Sequence, residues 1–169
     1  MNKLIASAIV LLGFATNSNA QATATATATA TIISRISLVK NTDMNFGNIA
    51  ASAFGGTVEL PPAPPTPVRI ASGGVSLPAT IGTVTAANFT VTGNDTYTYA
   101  ITLPFFLVLT HTGLVATMNA DAFTSTPSGS GLLTGGTEEL YVGATLNIGA
   151  NQLAGVYTSG NFDVTVNYN

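Results

Sequence analysis

The chain has 169 residues, 46% of them apolar and only 7% charged, with no Cys, no Trp and a formal net charge of −3. Four basic side chains against seven acidic ones give no cationic footprint for nucleic acid or an anionic membrane surface. Without Cys, neither a disulfide framework nor a thiolate metal site can form.

Residues 1–20 read as a secretory leader. Lys3 supplies a positive start, residues 4–15 are interrupted only by Ser7 and Gly13, and Ser18-Asn19-Ala20 ends in the small-x-small pattern of a cleavage site. Twelve helical residues rise roughly 18 Å, well short of a hydrocarbon core of about 30 Å, so a membrane anchor is the weaker reading of the segment. Cleavage after Ala20 makes Gln21 the first residue, and no later stretch is long enough for an integral membrane helix. The expected location is the periplasm, the cell surface or the medium. Lipid anchoring through a lipobox is excluded for want of Cys.

The remaining 149 residues contain 26 Thr, 12 Val and 8 Ile. Side chains branched at Cβ suit a pleated surface and lose freedom in a helix, so the composition predicts an all-β domain. Residues 21–31 form a low-complexity arm. Ala22, Ala24, Ala26, Ala28 and Ala30 alternate with Thr, and Ile32, Ile36 and Leu38 continue the same even face. As one strand, residues 22–39 would rise roughly 60 Å against a usual 17–20 Å, so part of the arm must overhang its own sheet.

After a turn at 41–43, residues 44–49 predict a short strand carrying Phe46-Gly47. Five prolines between Pro61 and Pro67 predict a stiff surface loop between edge strands. Phe89 and Val91, a turn at Gly93-Asn94-Asp95, and Tyr97, Tyr99, Ile101 and Leu103 on one face predict a β-hairpin. Residues 105–109 are apolar on both faces, as a fully covered strand or an exposed sticky one would be. The tract 126–136, with Pro127 and four glycines, predicts a loop. Then Leu140, Val142, Ala144, Leu146 and Ile148 alternate without error. Finally Phe162, Val164, Val166 and Tyr168 share one face. Tyr157 is out of phase with them, which predicts a bulge at Ser159-Gly160. Eight or nine short strands without a helix after Ala20 predict an antiparallel, immunoglobulin-like β-sandwich over residues 32–169, with a small barrel as the runner-up.

Chemistry is sparse. The lone His111 has no nucleophile elbow and no carboxylate nearby in sequence, so it reads as a surface histidine at a strand end. Glu138 and Glu139 are neighbours and point to opposite faces, so they cannot serve as a paired acid and base. Asp43, Asp95, Asp121 and Asp163 lack calcium-loop spacing. No catalytic residue, metal site or cofactor is expected. Tyr141, opposite in phase to Leu140 and Val142, is the one candidate exposed aromatic.

The pieces 44–49, 142–152, 154–157 and 162–168 resemble the exported bacterial β-domains grouped as domain of unknown function 4402. The likeness spans 22–169 and is most specific at the C-terminus, and it departs at 61–67 and 105–108. That family brings no catalytic residues. More loosely, the Gly-x-Tyr followed by an alternating strand with a penultimate Tyr resembles the ends of chaperone–usher pilins and spore-coat-U-like proteins. That likeness implies a sandwich completed by a neighbour's N-terminal extension, homo-oligomers or related surface subunits as partners, and a periplasmic chaperone. The arm here carries Ala where pilin extensions carry large apolar groups, which weakens any such exchange.

Two readings stand side by side. One is a structural or surface-coat subunit that associates through its arm by β-strand addition. The other is a secreted, non-enzymatic binding or adhesion module whose loops, at 61–67 and 126–136, meet a glycan or surface ligand. A monomeric exported domain with a disordered tail is the remainder.

Overall fold

The computed structural model describes residues 21–169. The leader and its cleavage residue Ala20 lie outside the described residues. The chain divides into two compact units at Ile32/Ile33. In the first, residues 21–32 form no strand and are exposed throughout.

The second unit is all-β, with no helix among the described residues. Its strands are β1 (Ser37–Thr42), β2 (Gly56–Leu60), β3 (Ile70–Gly73), β4 (Ala87–Thr92), β5 (Thr98–Thr102), β6 (Phe106–His111), β7 (Thr117–Thr126), β8 (Ser130–Leu132), β9 (Thr137–Ile148), β10 (Tyr157–Ser159) and β11 (Thr165–Tyr168). Eight belong to one antiparallel sheet, ordered β1-β4-β9-β7-β6-β10 with β2 and β3 attached beside β9. The other three form a second sheet, β11-β5-β8. The result is a β-sandwich with very unequal layers.

The central strand is β9, whose alternation was the clearest in the sequence. Leu140, Val142, Ala144, Leu146 and Ile148 are all buried. One edge of β9 pairs with β7, and the other is shared end to end. Residues 144–148 pair with β2 and residues 137–142 with β4. Gly143 falls at the junction. A Cβ there would strike the Leu60 carbonyl and the Pro61-Pro62 backbone, because the chain leaving β2 crosses over this point. The proline tract therefore links β2, an interior strand, to the edge strand β3, instead of joining two edges.

Two clusters make the core. Ala87, Phe89, Val91, Tyr99, Leu133, Leu140, Val142 and Val166 pack between the sheets, joined by Ile36, Leu38, Phe162, Val164 and Tyr168. Val58, Val75, Ala120, Ala144, Leu146 and Ile148 form the second cluster, covered by Met44, Phe46, Ile49 and Leu77. These four covering side chains lie outside the named strands.

Several expectations change. Residues 44–49 are not a strand. They are anchored by isolated bridges from Asn45 to Thr85 and from Ala50 to Ser76, with Gly47 at φ 68° between them. The turn at 93–95 does not close a hairpin, because β4 and β5 belong to different sheets. The tract 126–136 contains β8 and the buried Leu133. At 159–160 there is no bulge. Between β10, on β6, and β11, on β5, the chain changes sheet, and that passage absorbs the phase shift. Ile36 and Leu38 pack on the core as their phase predicts, whereas Ile32 is 92% exposed.

Candidate functional site

The small sheet leaves part of the large sheet's inner face without strand cover. There an open groove of about 1370 Å³ is floored by inward side chains of β4, β6, β7 and β9, namely Phe89, Leu109, Met118 and Leu146. Residues 43–51 form one wall and residues 152–164 the other.

The first wall is shaped by local turn chemistry and a buried cation. Asn45 Oδ1 accepts the Gly47 amide at 2.8 Å, a side-chain turn that bends the backbone without a ladder. Gly47 is required here. Its φ is in the left-handed region, and a Cβ would strike the Ile81 carbonyl and the Val84 side chain. Beneath the wall, Arg69 donates from Nη1 to the Phe46 carbonyl and, at 2.8 Å, to the Asn48 carbonyl. Arg69 is buried, and its desolvation pulls its pKa below the ordinary arginine value. Two backbone carbonyls thus stand in for the carboxylate that a buried guanidinium usually finds.

The second wall is tied down by side chains. Gln152 Nε2 donates to the Tyr157 hydroxyl at 2.8 Å and to the Thr117 carbonyl at 3.2 Å, and the Tyr157 hydroxyl donates to the Leu153 carbonyl at 2.8 Å. His111 stands edge-on to Tyr157, with ring centroids 5.1 Å apart. Its Nδ1 accepts the Gly113 amide at 2.9 Å. The proton of the neutral ring therefore sits on Nε2, 3.2 Å from the Ala154 carbonyl. The lone histidine ends β6, as the sequence suggested, and fastens the groove wall. Further along, residues 160–164 form no backbone hydrogen bond among the described residues.

The groove is nearly neutral. Lys40 and Asp43 lie within its lining and pair with each other at 2.6 Å, and Asp163 is the remaining charged residue there. Among the described residues no three His, Cys, Asp or Glu side chains gather as metal ligands, and no helix is long and apolar enough to cross a membrane.

Residues singled out from sequence fall as follows. Gln21, Ala22, Ala24, Ala26, Ala28 and Ala30 are exposed and outside any strand. Tyr141 faces outward on β9 as its phase predicts, yet it is half-buried at a recess of about 200 Å³ shared with Ala63, Pro65 and Asn88. Glu138 and Glu139 do diverge. Glu138 accepts the Tyr99 hydroxyl between the sheets, while Glu139 accepts Asn88 Nδ2 at 2.7 Å and the Thr90 hydroxyl at 2.8 Å on the outer face. Sequence reasoning missed Arg69 and the 160–164 stretch. Only Asn45-x-Gly47 carried a local signal of the first wall's turn.

A family model described as Domain of unknown function (DUF4402) matches residues 36–168. No curated protein matches the chain.

Proposed function

The chain belongs to the DUF4402 family, and from that premise we propose that it is an exported, non-enzymatic structural or surface-coat subunit that associates with other copies by β-strand addition through its N-terminal arm. One observation carries the reading. Residues 21–31 are exposed at every position and form no strand, yet residues 22–31 keep strict Ala/Thr alternation without a charged side chain. Unpaired N–H and C=O groups on such a segment are a template for pairing with another chain. An open apolar groove in the same molecule supports the reading further.

The energetics are finely balanced. Main-chain hydrogen bonds contribute roughly 0.5–1.5 kcal/mol net each. Fixing the backbone costs about 1–2 kcal/mol per residue, and Ala methyls bury little area. Assembly therefore depends on high local concentration or on an assembly partner such as a periplasmic chaperone. After leader removal the protein is placed in the periplasm, at the cell surface or in the medium.

Deleting residues 22–31 tests the reading. Filaments or large oligomers, followed by negative-stain microscopy and light scattering, should disappear while the melting temperature stays within a degree or two. Oligomers that survive the deletion overturn it. The second reading, a loop-borne glycan-binding module, is supported only by the recess at Tyr141, and retention on a glycan array that Tyr141→Ala abolishes would favour it.

A further inference from the structure

The groove also indicates where an arm would land. We propose that the unpaired stretch 160–164 is the acceptor edge for residues 21–31 of a second copy of this chain, which lies in the groove with its Ala face on the floor and its Thr face outward. This rests on the reading of the arm as an association strand.

Residues 160–164 run between β10 and β11 outside any strand and line the groove. Phe162 and Val164 turn to the core while Asp163 is exposed, so the stretch already has the alternation of a strand that lacks a partner. Across the groove, Asn45 and Ala50 bond away from it, to Thr85 and Ser76. A segment laid between the walls would meet strand-like backbone along its length.

The occupant follows from charge, shape and exposure. The lining is close to neutral, since Lys40 and Asp43 satisfy each other. An acidic peptide would meet no cation free to pair, a basic one would find only the exposed Asp163, and either would lose hydration over the apolar floor. The floor is already filled by bulky side chains such as Phe89, Leu109 and Leu146, so an entering strand needs small groups on its inner face. Residues 22–31 carry Ala methyls on one face, Thr hydroxyls on the other and no charged side chain. Extended, they reach about 35 Å. In the single chain they are exposed throughout, which leaves them available to a neighbour.

Of the other open edges, which include those of β1, β3 and β8, the one on β6 adjoins the groove through Leu109. β10 covers only Leu109 to His111 of β6, so the Phe106–Val108 backbone is open on that side. Phe106 and Val108 face outward there, and an added strand would gain hydrogen bonds without burying a side-chain face. The groove offers both.

Because the protein has no Cys, cross-linking starts from zero background. Full chains bearing Asp163→Cys are mixed with full chains bearing Thr25→Cys, Thr27→Cys or Thr29→Cys, oxidised, and run on a non-reducing gel. A covalent dimer containing one chain of each kind is expected for at least one arm position, with little or none when Val108→Cys replaces Asp163→Cys. Ala26→Lys should weaken assembly at least tenfold, whereas Thr27→Lys should leave it within threefold. Cross-linking to Val108→Cys but not Asp163→Cys, in a protein whose assembly still requires the arm, overturns the acceptor edge and leaves the arm's role standing. Assembly indifferent to arm deletion fails the underlying reading itself. A dilute Thr27→Cys/Asp163→Cys double variant that closes only within one chain overturns the second copy as occupant.

Discussion

The Tyr99 hydroxyl on β5 donates to Glu138 Oε2 on β9 at 2.9 Å, a side-chain hydrogen bond that joins the small sheet to the large one. Tyr99 is fully buried, and a Cβ on Gly131 would strike its ring. Burial, followed by the hydrogen bond to Glu138 and the charge of that carboxylate, raises the Tyr99 pKa well above the ordinary tyrosine value. The folded state therefore holds this proton more tightly than the unfolded chain does. The stabilisation is complete below about pH 10, where an unfolded tyrosine ionises, and is lost as pH rises toward the folded-state value. Tyr99→Phe should cost about 1–2 kcal/mol at neutral pH by leaving Glu138 without its donor. It should also flatten the loss of stability above pH 10 relative to wild type, as read from urea midpoints across an alkaline series.

On β11, Val166 is buried and Thr165 exposed. Val166→Asp places an unpaired charge among Tyr99, Leu140 and Val142 and should cost several kcal/mol or prevent folding. Thr165→Asp should stay within about 0.5 kcal/mol. Thermal melts of the pair check the register of the terminal strand.

Removing the Arg69 guanidinium should act on the groove wall. In Arg69→Met the Phe46 and Asn48 carbonyls lose their shared donor, at a cost of about 1–3 kcal/mol each if they stay buried. Arg69→Lys, a point donor without the planar fork, should recover part of this. Hydrogen exchange over residues 44–50 should quicken more than exchange over β9.

Replacing glycine by alanine within a strand ordinarily adds stability, since glycine has the larger unfolded-state entropy. At Gly143 the sign should reverse, because the added methyl meets the Leu60 carbonyl and the proline crossing. Gly143→Ala should cost about 1–3 kcal/mol by overpacking. Gly129→Ala would meet no neighbour within 4 Å, so only its φ of 69° penalises that change. Denaturant melts of both variants separate the two causes.

What could be read from the chain depended on how local the signal was. The buried face of β9 and the Phe162-to-Tyr168 face were legible because period-two alternation reports a half-buried strand directly. β7 was not, because its register shifts between Asp121 and Thr124, with Ala122 at φ 46°, and the bulge resets the parity on which such a reading depends. The turn at 93–95 was legible as a turn, but its residues say only that the chain reverses. They do not say that Tyr99 will join a different sheet from Phe89. The arm was visible as composition. The groove was not, because it exists only where a three-stranded layer fails to cover an eight-stranded one, and no window of sequence encodes that difference.

The place of β9 in the ladder also sets a timetable. Residues 56–60 and 87–92 both await partners at 137–148, so most of the chain must be released from the ribosome before either ladder can close. Until then β2 has only β3 and β4 only β1 beside it, and the edge that β9 will take on each is open to pairing with the wrong chain. Closure of such distant contacts is slow, on the order of milliseconds to seconds. A chain of this design completes its larger sheet only when its last quarter arrives.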